Sequence, residues 1–142
     1  NHFGKSIYTS IEIFFFFKSG KSWKFIRCKT DNVEFGLKIA GIPESERREI
    51  SDRYLDMMQL SKFANSYTYQ LSTGMRQRVA IARALVMDPE ILLMDEPFAA
   101  MNSVTIDHFM QKMKGIPRMF VIVAHNIENY VELFDEEIRI VR

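Results

Sequence analysis

This sequence predicts an α/β fold, with helices packed on a mainly parallel sheet. Three observations carry that expectation. Two apolar runs of strand length, in "ILLMDEPF" (residues 91–98) and "RMFVIVAH" (residues 118–125), are separated by a segment with helical apolar spacing. A longer amphipathic segment precedes the first run, and a helix candidate follows the second. From residue 91 onward the order is therefore strand, helix, strand, helix, strand, the rhythm of a parallel sheet covered by its crossovers.

The first thirty residues differ in texture, mixing Lys, Ser and aromatics without a helical period. Within them "IEIFFFF" (residues 11–17) reads as a buried strand, and its phenylalanine run would favour aggregation if exposed. "DNVEFGLKIAG" predicts a short helix capped by Asp31 and stopped by Gly41. "IPESERREISDRYLDMMQLSKF" opens on Pro43 and carries acids in its first turn, as a helix start should. Ile50, Tyr54, Met57, Met58 and Ser61 would share one of its faces, with Met57 and Met58 filling core.

Ser72, Thr73 and Gly74 then read as a polar turn. From Met75 a helix would present Val79, Ile81, Ala82, Leu85 and Val86 on its apolar face, while Arg76, Arg78 and Arg83 supply charge. Pro89 ends it by disfavouring helix at Asp88. "ILLMDEPF" follows as a strand covered on both faces, and "NSVTIDHFMQKMKG" as a helix from a cap at Asn102 to Gly115. "RMFVIVAH" reads as a second buried strand, "NIENYVELF" as a helix and "EEIRIVR" as the last strand.

Composition narrows the function. The chain has 142 residues, about one domain or a piece of one. It is 47% hydrophobic and 26% charged, enough to bury a core and stay in solution. A formal net charge of +1 argues against a general nucleic-acid binder. One cysteine, Cys28, excludes an intrachain disulfide and suits a reducing compartment. No segment reaches the roughly 20 apolar residues of a spanning helix, so direct membrane insertion is not expected.

The chemistry is concentrated at strand ends. In open α/β sheets, ligands sit beyond the carboxyl ends of the strands. Asp95 and Glu96 stand at one such end and His125 at another, so neighbouring strands would deliver all three to one crevice. An Asp on a rigid strand end suits a hydrated magnesium ion on phosphates. A second carboxylate can polarise attacking water, and a histidine can donate a hydrogen bond to a phosphoryl oxygen. Alternatively, the acids cap the following turn and His125 is simply polar.

The run "QLSTGMRQRVAIARALVMDPEILLMDEPFAAMN" resembles the core of the ATPase subunit of ABC transporters. "LSTGM" is similar to the signature motif, "ILLMDE" to Walker B, "AAMN" to the D-loop and "VAH" to the switch histidine, all in the family's order. "DNVEFGLKIAG" and "GMRQRVAIARAL" look most like importers of the nitrate, sulfonate and taurine group. The resemblance implies a partial P-loop NTPase-like parallel sheet with flanking helices and a helical subdomain, with ATP and Mg2+ as ligands. It implies that Asp95 holds magnesium, Glu96 is the catalytic base and His125 contacts the γ-phosphate. Two subunits would sandwich two nucleotides head to tail, with Ser72 and Gly74 touching the ATP of the opposite subunit. The remaining implied partner is a transmembrane permease, which places the protein peripherally on the cytoplasmic face of the membrane.

The resemblance divides the chain into an atypical remnant of the nucleotide-binding core (residues 1–30), a helical subdomain (31–70) and the signature-to-switch part of the core (71–142). The sequence also departs from the family. No G-x-x-x-x-G-K-S/T loop is intact: "FGKS" (residues 3–6) would need a glycine before residue 1, and "SGKS" (residues 19–22) has Phe15 where the first glycine belongs. The Q-loop glutamine is replaced by residues 16–18. Thr73 stands for a signature glycine, Asn102 for the D-loop aspartate, and Asn126 follows His125 where aspartate is usual. The segment 102–118 is short for the family. These departures support a second expectation, a non-catalytic interaction module that docks on a membrane or sister subunit.

Overall fold

The computed structural model describes residues 13–16 and 29–124. Three parallel strands, β1 (Ile13–Phe16), β2 (Ile91–Asp95) and β3 (Met119–Val123), lie side by side in that order. Ile91 sits between Ile13 and Met119, and Asp95 is level with Val123. Parallel neighbours need a crossover. Between β2 and β3 it is α4 (Ser103–Lys114), whose first turn is capped as the sequence predicts: the Asn102 side chain accepts from the Thr105 N–H at 2.9 Å, and Gly115 follows the last turn.

The connection from β1 to β2 holds α1 (Lys29–Ile39), α2 (Glu44–Met57) and α3 (Thr73–Leu85). Single 3₁₀ turns at Ser61–Phe63 and Thr68–Gln70 lie between α2 and α3. One apolar cluster unites Leu92 and Met94 of β2, the predicted face of α3, and Ile106, Phe109, Met110 and Met113 of α4. Val33 and Leu37 of α1 and Leu55 of α2 join the same cluster, so the helical segment rests on the sheet-bearing part.

Several expectations are revised. α1 starts two residues before Asp31, which therefore lies in the first turn, where its charge suits the helix dipole, and is not the cap. α2 stops at Met57, and its buried positions are Ile50, Ser51 and Leu55, so the apolar face is offset from the one through Tyr54 and Ser61. Met58 is buried and Met57 packs at the core edge, both as core filling. Thr73 and Gly74 belong to the first turn of α3, with Ser72 as its cap.

β3 is not a buried strand. Met119 and Val123 are 60% and 61% exposed, while Phe120 and Ile122 pack on the core. Residues alternate across a strand, so an unbroken apolar run still places half its side chains on the far face of the sheet. Ile91 and Leu93 of β2 share that half-open side. α3 ends at Leu85, three residues before Asp88, which takes φ +53° ahead of Pro89 and not the extended conformation usual before proline. The helix and last strand expected after residue 125 lie outside the described residues, as do Cys28, "FGKS" and "SGKS".

Polar contacts tie the helices together. The buried Glu34 of α1 accepts from the Ser51 hydroxyl at 3.1 Å and pairs with Arg47 at 3.5 Å and Arg48 at 3.3 Å. Thr30 donates to the Ala64 carbonyl at 2.7 Å. The Arg83 guanidinium of α3 lies 4.9 Å from the centre of the Phe35 ring, a cation–π contact that holds α1 to α3. Arg78 donates to the Met58 carbonyl at 2.8 Å, and burial lowers its pKa.

Candidate functional site

The chain leaves the central strand through a sharp turn. Asp95 is the last residue of β2, half-buried, and Glu96 takes φ +51°, the left-handed region that a non-glycine residue enters at some cost. That backbone is held from both sides. The Glu96 N–H donates to the Val123 carbonyl at the end of β3, 2.7 Å away. The Glu96 carbonyl accepts from the Gln77 side-chain amide of α3 at 2.6 Å and from the Ala99 N–H at 3.3 Å. The structure thus brings the two acids to the carboxyl end of the sheet, and the left-handed turn is what redirects the second one. Pro97 and Phe98 behind it are buried, and Phe98 meets Phe109 of α4 edge to face at 6.1 Å.

The polar turn at 72–74 is built as a helix N-terminus. The Ser72 hydroxyl caps α3 by accepting from the Met75 N–H at 3.2 Å. Ser72 and Thr73 are exposed. Arg76 folds back over the turn, donating to the Leu71 carbonyl at 2.8 Å and the Thr73 hydroxyl at 3.1 Å. Gly74 packs against backbone: a Cβ there would collide with the Ala100 carbonyl oxygen and lie 3.3 Å from its carbon. The start of α3 and the loop after β2 are therefore in direct contact.

Exposed N–H groups and a hydroxyl at a helix N-terminus suit an anion, whereas Asp95 and Glu96 suit a hard cation. Among the described residues no group of three or more His, Cys, Asp or Glu forms a metal cage by itself. His125, expected to complete the crevice, lies outside the described residues, two positions beyond Val123. Sequence reasoning missed Gln77. Its signal was the i, i+3 spacing from Gly74, which puts both on one face of α3.

Comparison with known proteins agrees with this geometry. The family model described as ABC transporter matches residues 8–99. An ABC transporter ATP-binding protein of Methanocaldococcus jannaschii is 45% identical over 108 residues, 73% of this chain and 40% of that protein. The taurine import ATP-binding protein TauB of Yersinia pestis is 41% identical over 109 residues, 74% of this chain and 43% of its own length. The chain thus spans less than half of these relatives. Among solved structures, the dimeric bacterial ABC transporter cassette MJ0796 is similar with a TM-score of 0.69 at 37% identity, covering 75% of this chain and 49% of that one. CbiO1 of Clostridium perfringens, part of the cbiONQ transporter complex, gives 0.68 at 30% identity, over 78% and 46%. With more than half of its length in the family match and the cassette fold around its two carboxylates, this chain belongs to the ABC transporter family.

Proposed function

We propose that this chain is the signature and Walker B part of an ATP-binding, ATP-hydrolysing subunit of an ABC importer, which energises solute uptake across a membrane. The observation that carries the reading is the pair Asp95–Glu96 at the end of the central parallel strand, with Glu96 redirected by a braced left-handed turn. The TauB relatives and the nitrate, sulfonate and taurine resemblance support the importer reading.

In this reading Asp95 would hold a magnesium ion, which would supply charge screening for the phosphates. Glu96 accepts a proton from the attacking water, and His125 donates a hydrogen bond to the γ-phosphate. Ser72 and Gly74 serve the nucleotide of a second subunit, the exposed Ser72 and the helix N-terminus offering an anion site at the tip of α3. The dimeric cassette MJ0796, solved also with ADP and Pi, is a precedent for such a pairing. Residues 31–70 form the helical subdomain that docks on a transmembrane permease, with residues 1–30 and 71–142 contributing to the core. The subunit sits peripherally on the cytoplasmic face, and no described helix is long and apolar enough to cross a membrane.

Glu96→Gln tests the chemistry in a longer version of the chain with an intact phosphate loop. The amide keeps the shape and loses basicity, so ATP binding persists while turnover falls about 10²–10⁴-fold. Turnover within a few-fold of the parent would refute the assignment of the base. The second reading, an interaction module that hydrolyses nothing, is favoured by one observation: Phe15 stands where the SGKS stretch (residues 19–22) would need the first glycine of a phosphate loop.

A further inference from the structure

We propose that Gln77 is a positioning residue for Glu96, fixing the peptide that aims its carboxylate. The inference rests on the reading of Glu96 as the base. Glu96 occupies φ +51°, a conformation that costs energy for a residue with a Cβ. Such a peptide stays in place when its surroundings over-determine it. Its N–H already donates to Val123 at 2.7 Å, which fixes one side of the residue to β3. The following peptide, the one between Glu96 and Pro97, is held separately, since Pro97 has no N–H with which to anchor it. Its carbonyl accepts a long bond from the Ala99 N–H at 3.3 Å, within the turn itself, and a short one from the Gln77 amide of α3 at 2.6 Å. The Gln77 bond is the one that ties this peptide to a helix outside the turn.

Gln77 is well placed to do this from a rigid platform. It lies on α3, whose neighbouring residues Val79, Ala80, Ile81 and Ala82 are all buried. One turn before it, Gly74 rests on the Ala100 backbone, so α3 grips the loop after β2 at both of its ends. The consequence is functional. Ser72 caps this helix and Gln77 on its flank bonds the Glu96 carbonyl, so the ligand-facing tip of α3 and the peptide that aims the base are joined by one helix.

Amide hydrogen exchange, followed by NMR on the full 142-residue chain, tests the positioning. Gln77→Leu removes the donor, and Gln77→Glu keeps the length while opposing a carbonyl with a carboxylate. In both, exchange at Glu96 should quicken about tenfold, the equivalent of one hydrogen bond, with Ile81 and Leu85 of α3 changed less than about twofold. Gln77→Lys, which retains an N–H donor on a long stem, should recover most of the protection. Exchange at Glu96 that stays unchanged, or rises in step with Ile81 and Leu85, overturns the proposal; should the leucine variant not fold, the glutamate and lysine variants carry the same contrast. In a longer version with an intact phosphate loop, Gln77→Leu should lower kcat about tenfold or more with the KM for ATP unchanged. An unchanged kcat beside an active parent overturns the catalytic consequence. A parent with no turnover refutes the ATPase reading instead, and the exchange contrast still decides whether Gln77 holds the peptide.

Discussion

Two glycine-to-alanine substitutions separate backbone contact from side-chain contact. Gly36 in α1 and Gly74 in α3 both lie in helices, and a Cβ at either would enter occupied space. At Gly36 the intruding atom meets the sulfur of Met87, with its Cγ 3.1 Å away. Met87 is only partly buried and has three rotatable bonds, so the thioether can swing aside. Alanine also gains about 1 kcal/mol of helix propensity in mid-helix. Gly36→Ala is therefore expected to be neutral or slightly stabilising. At Gly74 the Cβ meets the Ala100 carbonyl, which cannot rotate away. The loop that carries it is pinned by buried Phe98 and by the Met101 N–H donating to the Phe98 carbonyl at 3.0 Å. Displacing such a segment costs about 1–3 kcal/mol, and a first-turn position recovers only part of the propensity gain. The net expectation for Gly74→Ala is a loss of about 1–2 kcal/mol. Urea unfolding of the chain, followed by circular dichroism, reads both as shifts in midpoint at constant slope. A Gly74→Ala variant as stable as the parent, or a Gly36→Ala variant that loses more than Gly74→Ala, would refute this reasoning.

Three further outcomes are expected. Glu34→Ala removes a buried acceptor from the Ser51 hydroxyl and the charge partner of Arg47, which keep the Arg48 and Ile42 carbonyls respectively, and should cost about 0.5–1.5 kcal/mol in urea unfolding, whereas Arg48→Ala, at a partner 47% exposed, should stay within about 0.5 kcal/mol. In longer versions with intact phosphate loops, mixing Ser72→Arg with Glu96→Gln subunits should give heterodimers that keep one intact composite site; activity never above that of either mutant, with dimers present, removes the case for Ser72 acting across the dimer. Calorimetric titration of the 142-residue chain with magnesium-ATP should show affinity weaker than millimolar, since each missing charge-assisted bond of the phosphate cradle is worth about 1.5–3 kcal/mol; micromolar binding would mean that Lys5 or Lys21 does build a cradle.

What was legible in the sequence was whatever depends on local chemistry. Asn102 and Gly115 bracket α4 because capping is decided within one turn. The face of α3 from Val79 to Val86 was visible because its apolar spacing repeats over two turns. The order of strands and helices followed from the same periodicities, and Asp95 and Glu96 were singled out by their place after an apolar run. What was hidden depends on tertiary neighbours. The two-sided burial expected of β3 failed because an apolar run records only what the strand tolerates, not which face is covered. Leu55 was passed over because the start of α2 is so charged that its narrow apolar stripe is hard to phase. Most of all, the left-handed turn at Glu96 has no local signal: glutamate does not favour positive φ, and contacts with Gln77, Val123, Ala99 and the buried Pro97 and Phe98 make it tenable.

Those neighbours also rank the departures from the family pattern. Asn102 in place of aspartate changes little locally, because both are good helix caps and this one is already bonded to the Thr105 N–H. Thr73 in place of glycine is accommodated in α3 without positive φ, its hydroxyl taken up by Arg76. Yet it adds a side chain on the exposed tip where a phosphate would approach backbone N–H groups most closely. The two substitutions therefore act on different properties: the first preserves a helix start, while the second alters access to an anion. A phosphate cradle is a third matter, since wrapping a triphosphate takes several backbone N–H groups and a lysine that α3, β2 and β3 do not supply. The framework that aims Glu96 rests on contacts within residues 72–123. Orienting the Glu96 carboxylate and wrapping a triphosphate are thus separate demands: the first is met by the contacts of Gln77 and Val123, the second calls for a cradle of a different kind.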